Sequence, residues 1–261
     1  MGSLGQRVRH GLVVGASSGV GKLVADGLAK RDVVVSTVGR TRPEPAYRWH
    51  YPCLDLTGLD WTRVYEEAET NARVAIDAVV YVAGEATFGR TSQIPLPRAR
   101  QLFEANFWAP SSAAVGAEQM WTAPRQGTFV SVSSISARRA VPFEAHYCAS
   151  KSACARFLDA LQLEHPDGRV RFLSVYPGRL QTPFRSKADW HGLPPDPAAS
   201  EGSDPATVAR AILDLIAGRR GPRVLGIRER AIDLADRVTP LLYDRLVLKR
   251  RVARVLRKGS S

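Results

Sequence analysis

A chain of 261 residues, 44% of them hydrophobic, is long enough for one large α/β domain with a sizeable core. Its three cysteines, Cys53, Cys148 and Cys154, are odd in number and lack metal-ligand spacing, which argues against a disulfide framework or a metal site and for a reducing compartment. The balance of 37 Lys+Arg against 25 Asp+Glu is basic, net +12, but it is spread along the chain without a nucleic-acid-binding motif. No apolar run is long enough for a signal or a membrane span, so a cytoplasmic protein is expected.

In chain order, Leu12–Val14 reads as a buried strand, and Val20–Lys30 as a helix with Val20, Leu23, Val24 and Leu28 on one face. Between them lies Gly15-Ala16-Ser17-Ser18-Gly19-Val20-Gly21. Glycine there allows unusual φ angles and close backbone approach, so that a diphosphate can rest on the N–H groups of the helix start. The G-x-x-x-G-x-G spacing differs from the dinucleotide fingerprint G-x-G-x-x-G. A second strand, Val33–Val35, closes at Gly39-Arg40. In dinucleotide folds an acid at this place holds the ribose 2′-hydroxyl, whereas arginine accommodates a 2′-phosphate. Arg40, with Arg42 nearby and no acid before Glu44, points to NADPH rather than NADH; the competing reading is an ordinary exposed arginine.

Further on, Thr57–Asn71 reads as a helix, Ala78–Val82 and Thr128–Val130 as strands, Tyr147–His165 as a helix and Val170–Leu173 as a strand. A helix at Pro205–Ala217 and a last strand at Arg223–Gly226 follow. Strands alternating with helices imply parallel pairing through right-handed crossovers, hence a single doubly wound parallel sheet with helices on both faces. Phe184–Asp204 is rich in Pro, Gly and polar residues and is expected to be a substrate loop, with surface disorder as the rival reading. Pro110 should kink or end the helix that carries Asn106.

Tyr147 and Lys151 stand four residues apart on one helix face. A free tyrosine, with pKa about 10, is a poor base at neutral pH. A neighbouring ammonium is expected to lower it and make the phenol a proton carrier. Ser134, at the end of the strand Phe129–Ser133, is placed to hold a substrate oxygen beside it.

With these motifs in this order, the chain resembles the short-chain dehydrogenase/reductase family, single-domain type, with a Rossmann sheet of about seven strands. The likeness runs from Val13 to about Thr182, and the remaining sheet is consistent with it to Gly226. By that resemblance Gly15, Ser17, Ser18, Gly19, Val20 and Gly21 cradle the cofactor, and Asp55 with Leu56 meets the adenine. Ala83, Gly84, Pro177, Gly178, Leu180 and Thr182 border the rest of the dinucleotide. Tyr147 is the implied acid/base, Ser134 orients the carbonyl, Lys151 binds the nicotinamide ribose, and Asn106 holds a water on a proton relay. One departure stands out: Tyr81-Val82-Ala83-Gly84 replaces the family's Asn-Asn-Ala-Gly, and Val14 replaces a leading threonine. Altered cofactor contacts with retained chemistry are the expected result.

Substrate contacts are expected from Ser136, Phe143, His146 and Trp190, with Ala137 and Arg138 beside them. Arg138, Arg139 and Arg185 leave an anionic substrate open. Cys148 and Cys154 read as packing residues. The segment 241–261 carries seven Lys/Arg between Arg245 and Lys258. A basic amphipathic helix there either packs on the body or a neighbouring subunit, the favoured reading, or lies on an anionic membrane. The leading expectation is an NADPH-dependent ketoreductase acting on a small carbonyl or alcohol, a homodimer or homotetramer. Its arginine richness suits a high-GC bacterial genome, where such reductases serve specialised metabolism. The alternatives are a non-catalytic nucleotide-binding or interaction protein, a membrane-surface reductase of a lipophilic carbonyl, and an epimerase or dehydratase.

Overall fold

The computed structural model describes residues 8–193 and 202–238. Seven parallel strands form one sheet in the order β3-β2-β1-β4-β6-β7-β9. They are β1 (His10–Val14), β2 (Val34–Gly39), β3 (Trp49–Pro52), β4 (Ala78–Tyr81), β6 (Gly127–Val132), β7 (Val170–Pro177) and β9 (Val224–Leu225). The expected doubly wound architecture is therefore present. β1 lies between β2 and β4, with Leu12 opposite Ser36 on one side and Val79 on the other. The chain winds outward in both directions from this point, which leaves a crevice at the carboxyl ends of the central strands.

Period-two alternation divides the strand residues between two cores. Leu12, Val14, Tyr81, Phe129 and Phe172 join helices α2 (Trp61–Ala72), α4 (Ala109–Met120) and α5 (Ala145–Glu164) through Tyr65, Ala113 and Leu158. Val13, Val80 and Val175 face the other way, toward α1 (Gly19–Ala29) and α6 (Pro205–Ile216), where Val24, Leu28, Ile212 and Ile216 fill the space. Tyr81, the residue in place of an asparagine, is one of these core side chains and packs against Trp61 and Phe129. Val82, the second replacement, lies instead on the crevice wall.

Several elements differ from expectation. α2 begins at Trp61 rather than Thr57, because the Asp60 carboxylate caps it by accepting from the Arg63 N–H at 3.2 Å. β3 was not anticipated: four residues with three aromatic rings and a terminal proline carry no strand periodicity. Ahead of Pro110 the regular helix gives way, as expected: helix α3 (Leu96–Phe103) widens into a π turn at Glu104–Trp108 that carries Asn106, and Pro110 sits in the first turn of α4, which continues from it. Within Phe184–Asp204, β8 (Asp189–His191) pairs in parallel with β5 (Thr87–Gly89), making a small second sheet over the crevice. The expected last strand shrinks to β9, after which an unforeseen helix, α7 (Ile227–Val238), turns back toward the crevice. The basic segment 241–261 lies outside the described residues, as do residues 194–201. Among the described residues, no helix is long and apolar enough to cross a membrane, and no side-chain group has the makings of a metal site.

Candidate active site

The crevice is one continuous cleft of about 2270 Å³. That is well beyond the roughly 300–1,000 Å³ of an ordinary small-ligand pocket, and leaves room for a dinucleotide and a second molecule. At one end the turn after β1 is built for backbone approach. Gly15 (φ +87°) and Gly19 (φ +54°) take left-handed conformations, and a Cβ on Gly15 would come within 2.9 Å of the Ala83 nitrogen. A Cβ on Gly21 would collide with the Gly15 carbonyl oxygen. The first turn of α1 has no acidic side chain, so the positive end of its dipole is left for an anion. Arg40 stands exposed just past β2, on the rim of the same end. Leu56 and the exposed Asp55 line it too; Asp55 turns back to accept from the Thr57 N–H (2.9 Å) and hydroxyl (2.7 Å), which holds its carboxyl below the usual range. This cradle fits a dinucleotide phosphate bridge.

At the other end, Ser134 follows β6 and Tyr147 lies in the first turn of α5. Their side chains lie close enough for the Ser134 hydroxyl to act on the phenol, and Ser134 Oγ accepts from the Ser136 N–H at 3.1 Å. Lys151 is buried one turn further along, its ammonium donating to the Val132 carbonyl at 3.3 Å. Asn106 is buried as well. Its Oδ1 accepts from the Glu85 N–H at 2.9 Å, and its Nδ2 donates to the Glu85 carbonyl (2.9 Å) and to Ser150 Oγ (3.2 Å). Gly84 makes room for both: a Cβ there would lie 2.8 Å from Asn106 Oδ1 and 3.1 Å from Lys151 Nζ. The π turn sets Asn106 at this depth, and such turns recur at functional positions.

The electrostatics differ from the sequence expectation. Burial pushes the Tyr147 phenol above the ordinary tyrosine range, and the Glu144 carboxylate adds to it. The Ser134 hydroxyl and Arg185 pull it back only in part. Lys151 is itself driven below the usual lysine range by desolvation. In this state the phenol is firmly protonated, not acidified by its neighbour.

Of the residues singled out in the sequence, Gly15, Ser17, Ser18, Gly19, Val20, Arg40, Asp55, Leu56, Ala83, Gly84, Ser134, Tyr147, Lys151, Pro177, Gly178, Leu180 and Thr182 all border the cleft. So do Ser136, Phe143 and Trp190, while Gly21 and Asn106 lie just beneath its wall. His146 does not line it: one residue along a helix from Tyr147 means about 100° of rotation away. Ala137 and Arg138 are also off the wall, and Arg138 is paired with Asp233 of α7 at 3.0 Å. Trp108 is exposed and Trp121 is core, its indole N–H donating to the Ile76 carbonyl at 2.9 Å. Cys148 and Cys154 are buried packing residues, as expected.

Among the wall residues that sequence reasoning missed, three stand out. Phe88, on β5, meets Tyr147 edge-on with ring centroids 5.6 Å apart. Glu144, at the start of α5, reads in sequence as a routine helix-start acid yet is 4% exposed. Glu229 of α7 lies against Gly178, whose missing side chain leaves it room.

A family model described as short chain dehydrogenase matches residues 9–191. An uncharacterized oxidoreductase YxnA of Bacillus subtilis is 28% identical over 255 residues, covering 91% of this chain and 71% of that protein. An NADPH-dependent 3-dehydrocapnine reductase of Ornithobacterium rhinotracheale is 27% identical over 202 residues, 72% of this chain and 71% of the relative. Among solved structures, a short chain dehydrogenase from Burkholderia cenocepacia in complex with NADP superposes with a TM-score of 0.76 at 22% identity, covering 92% of this chain and 98% of that one. At such identity the structural likeness speaks to the fold.

Proposed function

Because the chain belongs to the short-chain dehydrogenase family, an oxidoreductase family, we propose that it reduces a ketone to a secondary alcohol with NADPH, or runs the reverse. The observation that carries this is Ser134 beside Tyr147, with Lys151 buried one helical turn along, in the same cleft as the glycine cradle. NADP-bound and NADPH-dependent relatives support the cofactor, and Arg40 is the residue that would meet its 2′-phosphate.

When bound, the nicotinamide supplies or takes the hydride. The chain's own residues do the rest. Ser134 Oγ and the Tyr147 phenol present two hydroxyls to a carbonyl oxygen, which fixes its orientation and polarises it. Tyr147 then gives its proton to that oxygen as negative charge develops there. Lys151 sits one helical turn along, where it would hold the nicotinamide ribose. Asn106 holds the backbone at Glu85 and so keeps Gly84, which bounds the ribose end, in register. Gly178 and Thr182 border the nicotinamide end.

The test is a panel of ketones assayed by loss of NADPH absorbance, with Tyr147→Phe as the control. The phenylalanine variant is expected to bind NADPH as the parent does while turnover falls by at least 10³-fold, within the range of general acid catalysis. Full activity in that variant removes Tyr147 from the proton step.

A further inference from the structure

Arginines crowd the substrate end of the cleft, yet they are not available to an anion. Arg98 is held between Glu85 (2.7 Å) and Asp189 (2.7 Å), and Arg139 and Arg179 have partners of their own. Lys187 is exposed at the rim. The Arg185–Glu144 pair is different because it is buried: the two side chains are 15% and 5% exposed, and Nη2 donates to Oε1 at 3.0 Å. The guanidinium lies over Phe88, its Cζ 4.2 Å from the ring centroid and 5.7 Å from that of Trp190. The second Glu144 oxygen accepts from the Ser136 hydroxyl at 3.0 Å.

A guanidinium so poorly hydrated would, if unpaired, be a strong attractor for a carboxylate. Glu144 cancels it. Around this pair the cleft is lined by the apolar and aromatic side chains of Val141, Phe143, Phe88, Tyr147, Phe184 and Trp190. A substrate carboxylate entering here would lose its water and meet Glu144 beside the phenol, with the Arg185 charge already balanced.

We propose that the site takes a neutral ketone with an apolar body and that Glu144 is its specificity-determining residue, excluding keto acids by holding Arg185. This deepens, and rests on, the oxidoreductase reading above. It makes Glu144 a selector of charge, separate from the proton transfer.

Selectivity is measured without turnover, by calorimetric titration of the NADP⁺-loaded protein with 4-phenylbutan-2-one and with its carboxylate isostere 3-phenylpropanoate at pH 7.5. The unaltered protein should favour the ketone by at least tenfold. Glu144→Gln should shift that ratio at least tenfold toward the carboxylate, and adding Arg185→Gln should take the gain away. Circular dichroism confirms that each variant is folded. Equal binding of the two compounds by the unaltered protein, failure to bind the ketone, or an unshifted ratio in Glu144→Gln overturns the proposal. Absence of turnover with the ketone panel strikes the hydride-transfer reading instead, since the binding ratio does not depend on it.

Discussion

Tyr147 is a proton donor before it is anything else. Burial and Glu144 both disfavour its phenolate, and the Ser134 hydroxyl and Arg185 offset them only in part. A group whose pKa is raised keeps its acidic form up to a higher pH, so the sign is clear for an acid catalyst. For ketone reduction, kcat/KM should stay level through neutral pH and decline only above the usual tyrosine value of about 10. A pH–rate profile with an alkaline limb near pH 7 would show that something other than this phenol supplies the proton. The pair Tyr147 and Lys151 was legible from sequence because four-residue spacing fixes a shared helix face. Its electrostatics were not legible, because burial is set by Phe88, Phe184 and Trp190, which come from distant segments. Glu144 escaped for the same reason: nothing local distinguishes a buried acid from a solvated one at the start of a helix.

At the scale of elements, the site is a set of strand ends and helix starts held at close range. The turn from β1 into α1 is its tightest part, and Gly21 is where it has no slack. Gly21→Ala would force a methyl against the Gly15 carbonyl and open the cradle. NADPH affinity, read by nucleotide fluorescence, is expected to fall at least tenfold, with a lower melting temperature as well. Unchanged affinity in a folded variant would mean that the turn yields elsewhere. The same turn could be read from sequence because a strand, three glycines and an amphipathic helix follow one another directly. β3 and the β5–β8 pairing could not, since runs of three or four residues carry too little pattern and take their conformation from the neighbours they pair with. The π turn at Glu104–Trp108 likewise left no mark that separates it from ordinary helix.

Over the whole molecule, the sheet and its two cores were foreseeable from alternating strand and helix patterns, whereas the return of α7 to the cleft was not. Glu229 and Ile232 of α7 line the cleft, and the helix is pinned there by Asp233 on Arg138, whose guanidinium also lies 5.2 Å from the Tyr176 ring. Both partners are largely buried (16% and 12% exposed), so cutting the bond leaves a charge with little water around it. Arg138→Met should loosen α7 with the sheet intact: hydrogen exchange across 227–238 should rise at least tenfold while exchange in β1, β4 and β6 stays the same. Equal protection of α7 in the variant would place its anchorage elsewhere.

That anchorage makes the end of the chain a lever on the cleft. Gly226, at φ +103°, is the pivot between β9 and α7; the inner side of the helix reaches the backbone at Gly178, and its outer side shows Ile227, Leu234 and Val238 to solvent. Whatever grips that outer stripe bears on one wall of the chamber through a helix that stands outside the sheet.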